Sequence, residues 1–286
     1  MAVTCCVRAE ATLGEGPLWD PVRERIYWFD IQNKSLFWWR PGNGEGGHWT
    51  LPVRASAAAL RADGSLLLAT EGGIGVLDVE TGGFEIRAIA EEPVENRSND
   101  GGTDPSGRFW WGTMRDGAVP DAGSVYRLDP DWTIRRVIEP ITIPNALAFS
   151  PHGRTAYVAE SDRALIWAYD VDPATGDLGG RRLFAEVADG SPDGAAVDAE
   201  GYLWNAHWGA WRVVRYAPDG TIDRTIDMPV EQPSSCAFGG ADLKTLFITS
   251  AREDLSDEAL KGQPLAGSLF SIEVEVPGLP VAPFAG

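Results

Sequence analysis

The chain has 286 residues, 42 of them acidic and 24 basic, for a formal charge of −18. A chain this long can bury roughly 70% of its unfolded surface without disulfides. Its acidity speaks against nucleic-acid or anionic-membrane partners, both of which need positive potential.

From the N-terminus, MAVTCCVRAEATLGEG has no basic segment followed by an apolar run. No stretch approaches the ~18 apolar residues of a membrane helix, so a cytoplasmic protein is expected. Cys5, Cys6 and the distant Cys236 are odd in number with two adjacent, which is no disulfide framework. From Pro17 one unit recurs: a small apolar segment, a D-x-x-G-like turn, an apolar or aromatic strand, then a second strand ending near Asp or Pro. In chain order the instances are PLWDPVRERIYWFD with SLFWWRP, AALRADGSLLLAT with GIGVLDVETG, and GTDPSGRFWWGTM with SVYRLDP. LAFSPHGRTAYVAE with LIWAYDVDPATG, AAVDAEGYLWNAH with RVVRYAPDG, and CAFGGADLKTLFITS with SLFSIEV complete the series. The turn glycines Gly64, Gly107, Gly153 and Gly201 are separated by 43, 46 and 48 residues. Arg23 or Glu24 marks the turn of the first unit, and Asp242 to Lys244 that of the sixth.

A period in the mid-forties with several short strands per unit is the signature of propeller blades. The expected fold is all-β: one six-bladed β-propeller domain over 1–286, with four-stranded blades around a central metal-binding channel. Val3 to Ala9 should complete the sixth blade and close the ring. Residues 252–262 should form a short helical turn, and the Pro-rich end an extended tail. Adjacent tryptophans on one strand, Trp38-Trp39 and Trp110-Trp111, point to opposite faces and pack between blades. His207 and Trp208 are the candidates for exceptions, with a structural histidine the competing reading.

The innermost strand of each blade lines the channel, so residues in one register form a ring. Counting back eight from the turn glycines gives Ser56, Asn99, Asn145 and Asp193; the first unit gives Glu15 and the sixth Ser234 or Ser235. Glu15, Asn145 and Asp193 offer only oxygen to a metal, with two negative charges, which suits a divalent cation such as Ca²⁺, Mg²⁺, Mn²⁺, Fe²⁺ or Zn²⁺. Three protein ligands leave positions open for water and substrate. On the residues alone a second reading stays open, in which these groups bond to backbone and water in an inert channel.

Four segments carry a resemblance: LGEGPLW around Glu15, NRSNDGGTDPSGRFWWGTM around Arg97 and Asn99, IPNALAFSPHG around Asn145, and SPDGAAVDAEGYLWNAHWG around Asp193. Together, in this order over roughly residues 12 to 273, they resemble the gluconolactonase, senescence-marker-protein and regucalcin family of six-bladed propellers. The resemblance implies metal-dependent hydrolysis of a sugar-acid lactone, with one divalent ion at Glu15, Asn145 and Asp193, Ca²⁺ first and Zn²⁺, Mn²⁺, Mg²⁺ or Fe²⁺ as alternatives. It further implies Asp193 as catalytic base or proton shuttle, and Arg97 and Asn99 as substrate-binding. The chain departs from the pattern after the G-T-M segment. Some members carry a substrate-binding acid there, where direct counting gives Gly117 beside Asp116. The role then passes to Asp116 or is lost.

Hydrolysis of a cyclic ester needs a water nucleophile and a proton for the leaving ring oxygen. Asp193 is placed to accept the water's proton, and no G-x-S-x-G elbow is present. Arg97 points to the same face as Asn99, nearer one mouth. Its competing role is a salt bridge with Glu92, Glu95 or Asp100, while Asp100 should orient its neighbours through backbone bonds. Arg54 shares Arg97's register in the second unit. Two other functions remain: a related propeller hydrolase of other esters or phosphotriesters, expected to have wide apolar loops, and a non-catalytic calcium-binding scaffold, expected to expose an apolar patch.

Overall fold

A computed structural model describes residues 2–90 and 93–286. It is a six-bladed β-propeller of six four-stranded antiparallel sheets. The inner strands are Gly14–Asp20, Ala55–Leu60, Asn96–Thr103, Pro144–Phe149, Ser191–Val197 and Pro233–Gly239. The second strands, such as Arg25–Asp30 (RIYWFD) and Leu66–Thr70 (LLLAT), are buried throughout because neighbouring blades cover both faces. The outermost strands are polar and open to water, as in Ile222–Asp227 (IDRTID). The sixth blade takes its outer strand from Thr4–Val7, which pairs with Leu269–Glu273, so the ring closes as expected from Val3 to Ala9.

The turn glycines all adopt the left-handed conformation that the D-x-x-G turn requires; Gly107, for example, has φ +78°. Where glycine is missing, Glu24 (φ +52°) and Leu243 (φ +57°) take that conformation in the first and sixth blades. LIWAYDV is a strand, Leu165–Val171. The helix is shorter than expected, Asp257–Gly262, because Ser256 caps it by accepting from the Ala259 N–H at 3.2 Å. That leaves residues 252–256 as loop.

Tryptophans do mostly pack between blades. Trp110 and Trp111, adjacent on one strand, enter two different apolar cores. Trp110 and Trp204 sit in equivalent places in the third and fifth blades. Each donates its indole N–H to the aspartate of its own turn, Asp104 at 3.1 Å and Asp198 at 2.9 Å.

The C-terminal tail is extended, yet it is firmly seated. It bonds to the sixth and fifth blades (Gly278 N to Leu243 O, 2.8 Å; Ala199 N to Pro277 O, 2.9 Å), then to the third and second (Thr103 Oγ1 to Ala282 O, 2.6 Å; Phe284 N to Leu60 O, 2.8 Å). It thus spans the channel where the inner strands finish. An axial space of about 360 Å³, lined by all six inner strands, lies against residues 279–282. The opposite end, where the inner strands begin, carries the candidate site.

Candidate metal and substrate site

Every inner strand breaks its pairing register at the same level. The breaks fall between Glu15 and Leu18, Ala55 and Ala57, Ser98 and Gly101, Asn145 and Ala148, Pro192 and Ala195, and Pro233 and Cys236. A bulge re-aims the side chains beside it. Gly16 (φ +55°) and Ala146 (φ +53°) hold the left-handed conformation next to Glu15 and Asn145. A side chain at Gly16 would also run into the Ser56 carbonyl oxygen, so glycine lets the first two blades approach.

Glu15, Arg97, Asn99, Asn145 and Asp193 all line one cavity of about 250 Å³. The counted ring is only partly realised, however. Ser56 is fully buried and bonds to Ser98 Oγ at 2.7 Å, and Ser234 donates to the Gly14 carbonyl. At the bulges these hydroxyls stitch neighbouring blades together, so neither lines the cavity.

A polar arc connects three blades. Arg97 Nη1 donates to Asn99 Oδ1 at 2.8 Å, and Asn99 Nδ2 donates to Asn145 Oδ1 at 2.9 Å. Asn145 Nδ2 donates to Ser161 Oγ at 2.9 Å, and Ser161 donates to the Pro192 carbonyl at 2.6 Å, one residue before Asp193. Asn205 Nδ2 holds the Asp193 carbonyl at 2.6 Å. The Asn145 amide is therefore fixed with its nitrogen occupied and one oxygen lone pair to spare.

Glu15, Asp100 and Asp193 are all buried, with Arg97 as the cation acting on Glu15 and Asp193. Burial first, then the Asp100 charge, pushes Glu15 up to about 8. Asp193 is also raised, by burial and then by Glu15. Burial raises Asp100 to about 6, against the Leu147 N–H that its Oδ2 accepts at 2.8 Å. The Glu15 carboxylate receives a backbone N–H from Gly16 at 3.2 Å, and that of Asp193 one from Gly194. Buried carboxylates with so few donors cannot hold their charge alone, so a proton or a cation has to neutralise them. Oxygen-only donors in that state fit a divalent cation. Among the described residues no three His, Cys, Asp or Glu side chains form a metal cluster, and the Asn145 amide lines the same cavity as Glu15 and Asp193.

Arg97 is buried and ion-paired, but with neither Glu95 nor Asp100. Glu92 lies outside the described residues, Glu95 pairs with Arg115 (3.5 Å), and Asp100 is turned to Leu147. Its partner is Asp116, at 2.8 Å from Nε. Arg54 Nη1 takes the other Asp116 oxygen at 2.6 Å and is held in turn by Glu71 at 2.7 Å. Burial would raise Asp116, but bonds from Arg54 and Arg97 outweigh it and hold it below the usual carboxylate range. A side chain at Gly117 would start into open space, with nothing within 4 Å of its first carbon.

Of the two exceptions considered, Trp208 lines the cavity and His207 does not. His207 is buried, 3.1 Å from the Tyr216 hydroxyl, with its pKa lowered to about 4 by burial and then by Arg212. Counting from the turns missed Glu253, Ser161 and Asp162, which also line the cavity. Ser161 and Asp162 follow the second strand of the fourth blade, and Glu253 lies in a loop, so none falls in the counted register.

Residues 13–252 match the SMP-30/Gluconolactonase/LRE-like region, and the chain belongs to that family. It is 37% identical over 288 residues to a 6-deoxy-6-sulfogluconolactonase of Pseudomonas putida, covering 99% of this chain and 98% of that one. It is 38% identical to an L-arabinolactonase of Azospirillum brasilense, covering 96% and 93%. Among solved structures it resembles a calcium-binding protein, regucalcin, from Agrobacterium tumefaciens, with a TM-score of 0.95, 34% identity, and 98% and 96% of the two chains covered. No helix among the described residues is long and apolar enough to cross a membrane.

Proposed function

We propose that this protein hydrolyses the ring ester of a sugar-acid lactone, such as glucono-, xylono- or arabinonolactone, to the aldonic acid, with one divalent ion held by Glu15, Asn145 and Asp193. The observation that carries the reading is the convergence of two buried carboxyl groups, an oriented amide and Arg97 in one cavity. Relatives named as sugar lactonases at 37% and 38% identity support the substrate class. A solved relative described as a calcium-binding protein supports Ca²⁺ ahead of Zn²⁺, Mn²⁺, Mg²⁺ and Fe²⁺. At about 250 Å³ the cavity is smaller than the ~300–1,000 Å³ of drug-sized pockets, which favours a single small ring over a bulky triester.

When bound, the ion supplies positive charge that polarises the lactone carbonyl and makes nearby water more acidic. Asp193 accepts the proton of the attacking water and returns it to the ring oxygen as the C–O bond breaks. Lactone and water thus give one hydroxy acid, with nothing else consumed. Arg97 holds a substrate oxygen by a charge-assisted bond. Its Nη2 has no protein partner among the described residues, while Nε and Nη1 are engaged. Asn99, on the same wall, fixes Arg97 against Asn145. Cys236 is no nucleophile: burial pushes its thiol up.

The test is a panel of fresh glucono-, xylono-, arabinono- and galactonolactones assayed with each metal, after subtracting spontaneous opening. Turnover of at least one aldonolactone is expected. Spontaneous rates with every lactone and every metal would refute the reading.

A further inference from the structure

Two acidic side chains outside the ring stand near Arg97, and the structure treats them differently. Asp116 follows the G-T-M segment, and both its oxygens are taken, by Arg97 and Arg54. Glu253 lines the cavity itself. Its backbone is pinned: the N–H groups of Arg252 and Glu253 both donate to the Thr12 carbonyl, at 2.9 and 2.8 Å. Its Oε1 accepts from Gln32 Nε2 at 2.5 Å, and its Oε2 has no protein donor among the described residues. A half-buried carboxylate fixed at one oxygen and open at the other is preorganised to accept a hydrogen bond. On the same cavity, Arg97 Nη2 is an unengaged donor. A hydroxyl group both donates and accepts, so it can satisfy such a pair at once. Met114, Ile143 and Trp208 offer apolar surface to the C–H faces of a ring.

We propose that Glu253 is a specificity-determining residue that accepts hydrogen bonds from the hydroxyls of the substrate, in the cavity it shares with Arg97. The inference rests on the lactonase reading. It makes the contact to the polyol depend on the loop after Thr245–Ser250 of the sixth blade, and it leaves Asp116 as the residue that positions Arg97.

The experiment compares xylono-1,4-lactone with γ-butyrolactone, which has the same ring and no hydroxyls. Each is read as kcat/KM, or as an inhibition constant where turnover is too slow. Glu253→Ala is expected to lower the xylono-1,4-lactone value relative to the γ-butyrolactone value by roughly ten- to a hundredfold, mainly through KM. Glu253→Gln keeps the shape and the Gln32 contact, and should shift the same ratio in the same direction by less. An unchanged ratio in both variants, whether both lactones suffer equally or neither does, overturns the proposal. A wild type inert toward every lactone overturns the lactonase reading itself and this inference with it, a result distinct from an active wild type with an unchanged ratio.

Discussion

Asn99 Nδ2 lies 2.9 Å from Asn145 Oδ1, so an amide of the third blade sets the direction of the candidate ligand on the fourth. The same Asn99 accepts from Arg97 at 2.8 Å. Its loss should therefore disturb both the ion and the substrate side of the cavity.

Asn99→Ala is expected to weaken divalent-ion affinity about 10- to 100-fold, the usual effect of removing a group that orients a ligand. Isothermal titration of the metal-free protein reads this directly. Wild-type affinity in the variant would mean that Asn145 is held well enough by Ser161 alone.

Arg97→Ala should spare ion affinity and lower kcat/KM by about 1–3 kcal/mol, the worth of one charge-assisted bond to substrate. The distinguishing measurement is kinetics beside ion titration on one preparation. Unchanged kinetics on every active lactone would reduce Arg97 to its ion pair with Asp116.

Asp193→Asn keeps an oxygen for the ion but cannot accept a proton. At verified full ion occupancy kcat should remain depressed by ~10²–10⁴-fold. Near-wild-type turnover at full occupancy would show that Asp193 only holds the ion.

His207 gives the fold an acid-side weakness. Its pKa falls from 6.5 to about 4 on folding, so between those values the unfolded chain binds more protons than the folded one. Its contribution to stability is intact above pH 6.5 and declines as pH drops toward 4, by up to about 1.4 kcal/mol per unit. His207→Gln keeps a polar partner for Tyr216 and removes that slope. The Tm gap between wild type and variant should therefore narrow from pH 7 to pH 4.5. A constant gap would assign the proton uptake to other groups.

The blades were legible because turn glycines recur at a nearly constant spacing and the strands between them are aromatic or β-branched. The same spacing brought Glu15, Asn99, Asn145 and Asp193 to one level, since the distance from channel to turn is nearly fixed along an inner strand. Counting could not foresee the bulges, which turn Ser56 and Ser234 into links between blades. Nor could it reach Glu253, whose loop has no register to count, or the pairing of Arg97 with Asp116 across two strands of one blade. The tail read as extended from its prolines. Its seat depends on contacts with four blades, through residues such as Leu243 and Leu60 that are far away in sequence.

The most direct test of the account is to strip the protein of divalent ions and add Ca²⁺ stepwise while following aldonolactone hydrolysis by proton release, with spontaneous opening subtracted. The account predicts no catalysed rate in the stripped protein and a linear rise that breaks at one ion per chain. Full activity without added ion, or activity that never responds to Ca²⁺, Zn²⁺, Mn²⁺, Mg²⁺ or Fe²⁺, would contradict it.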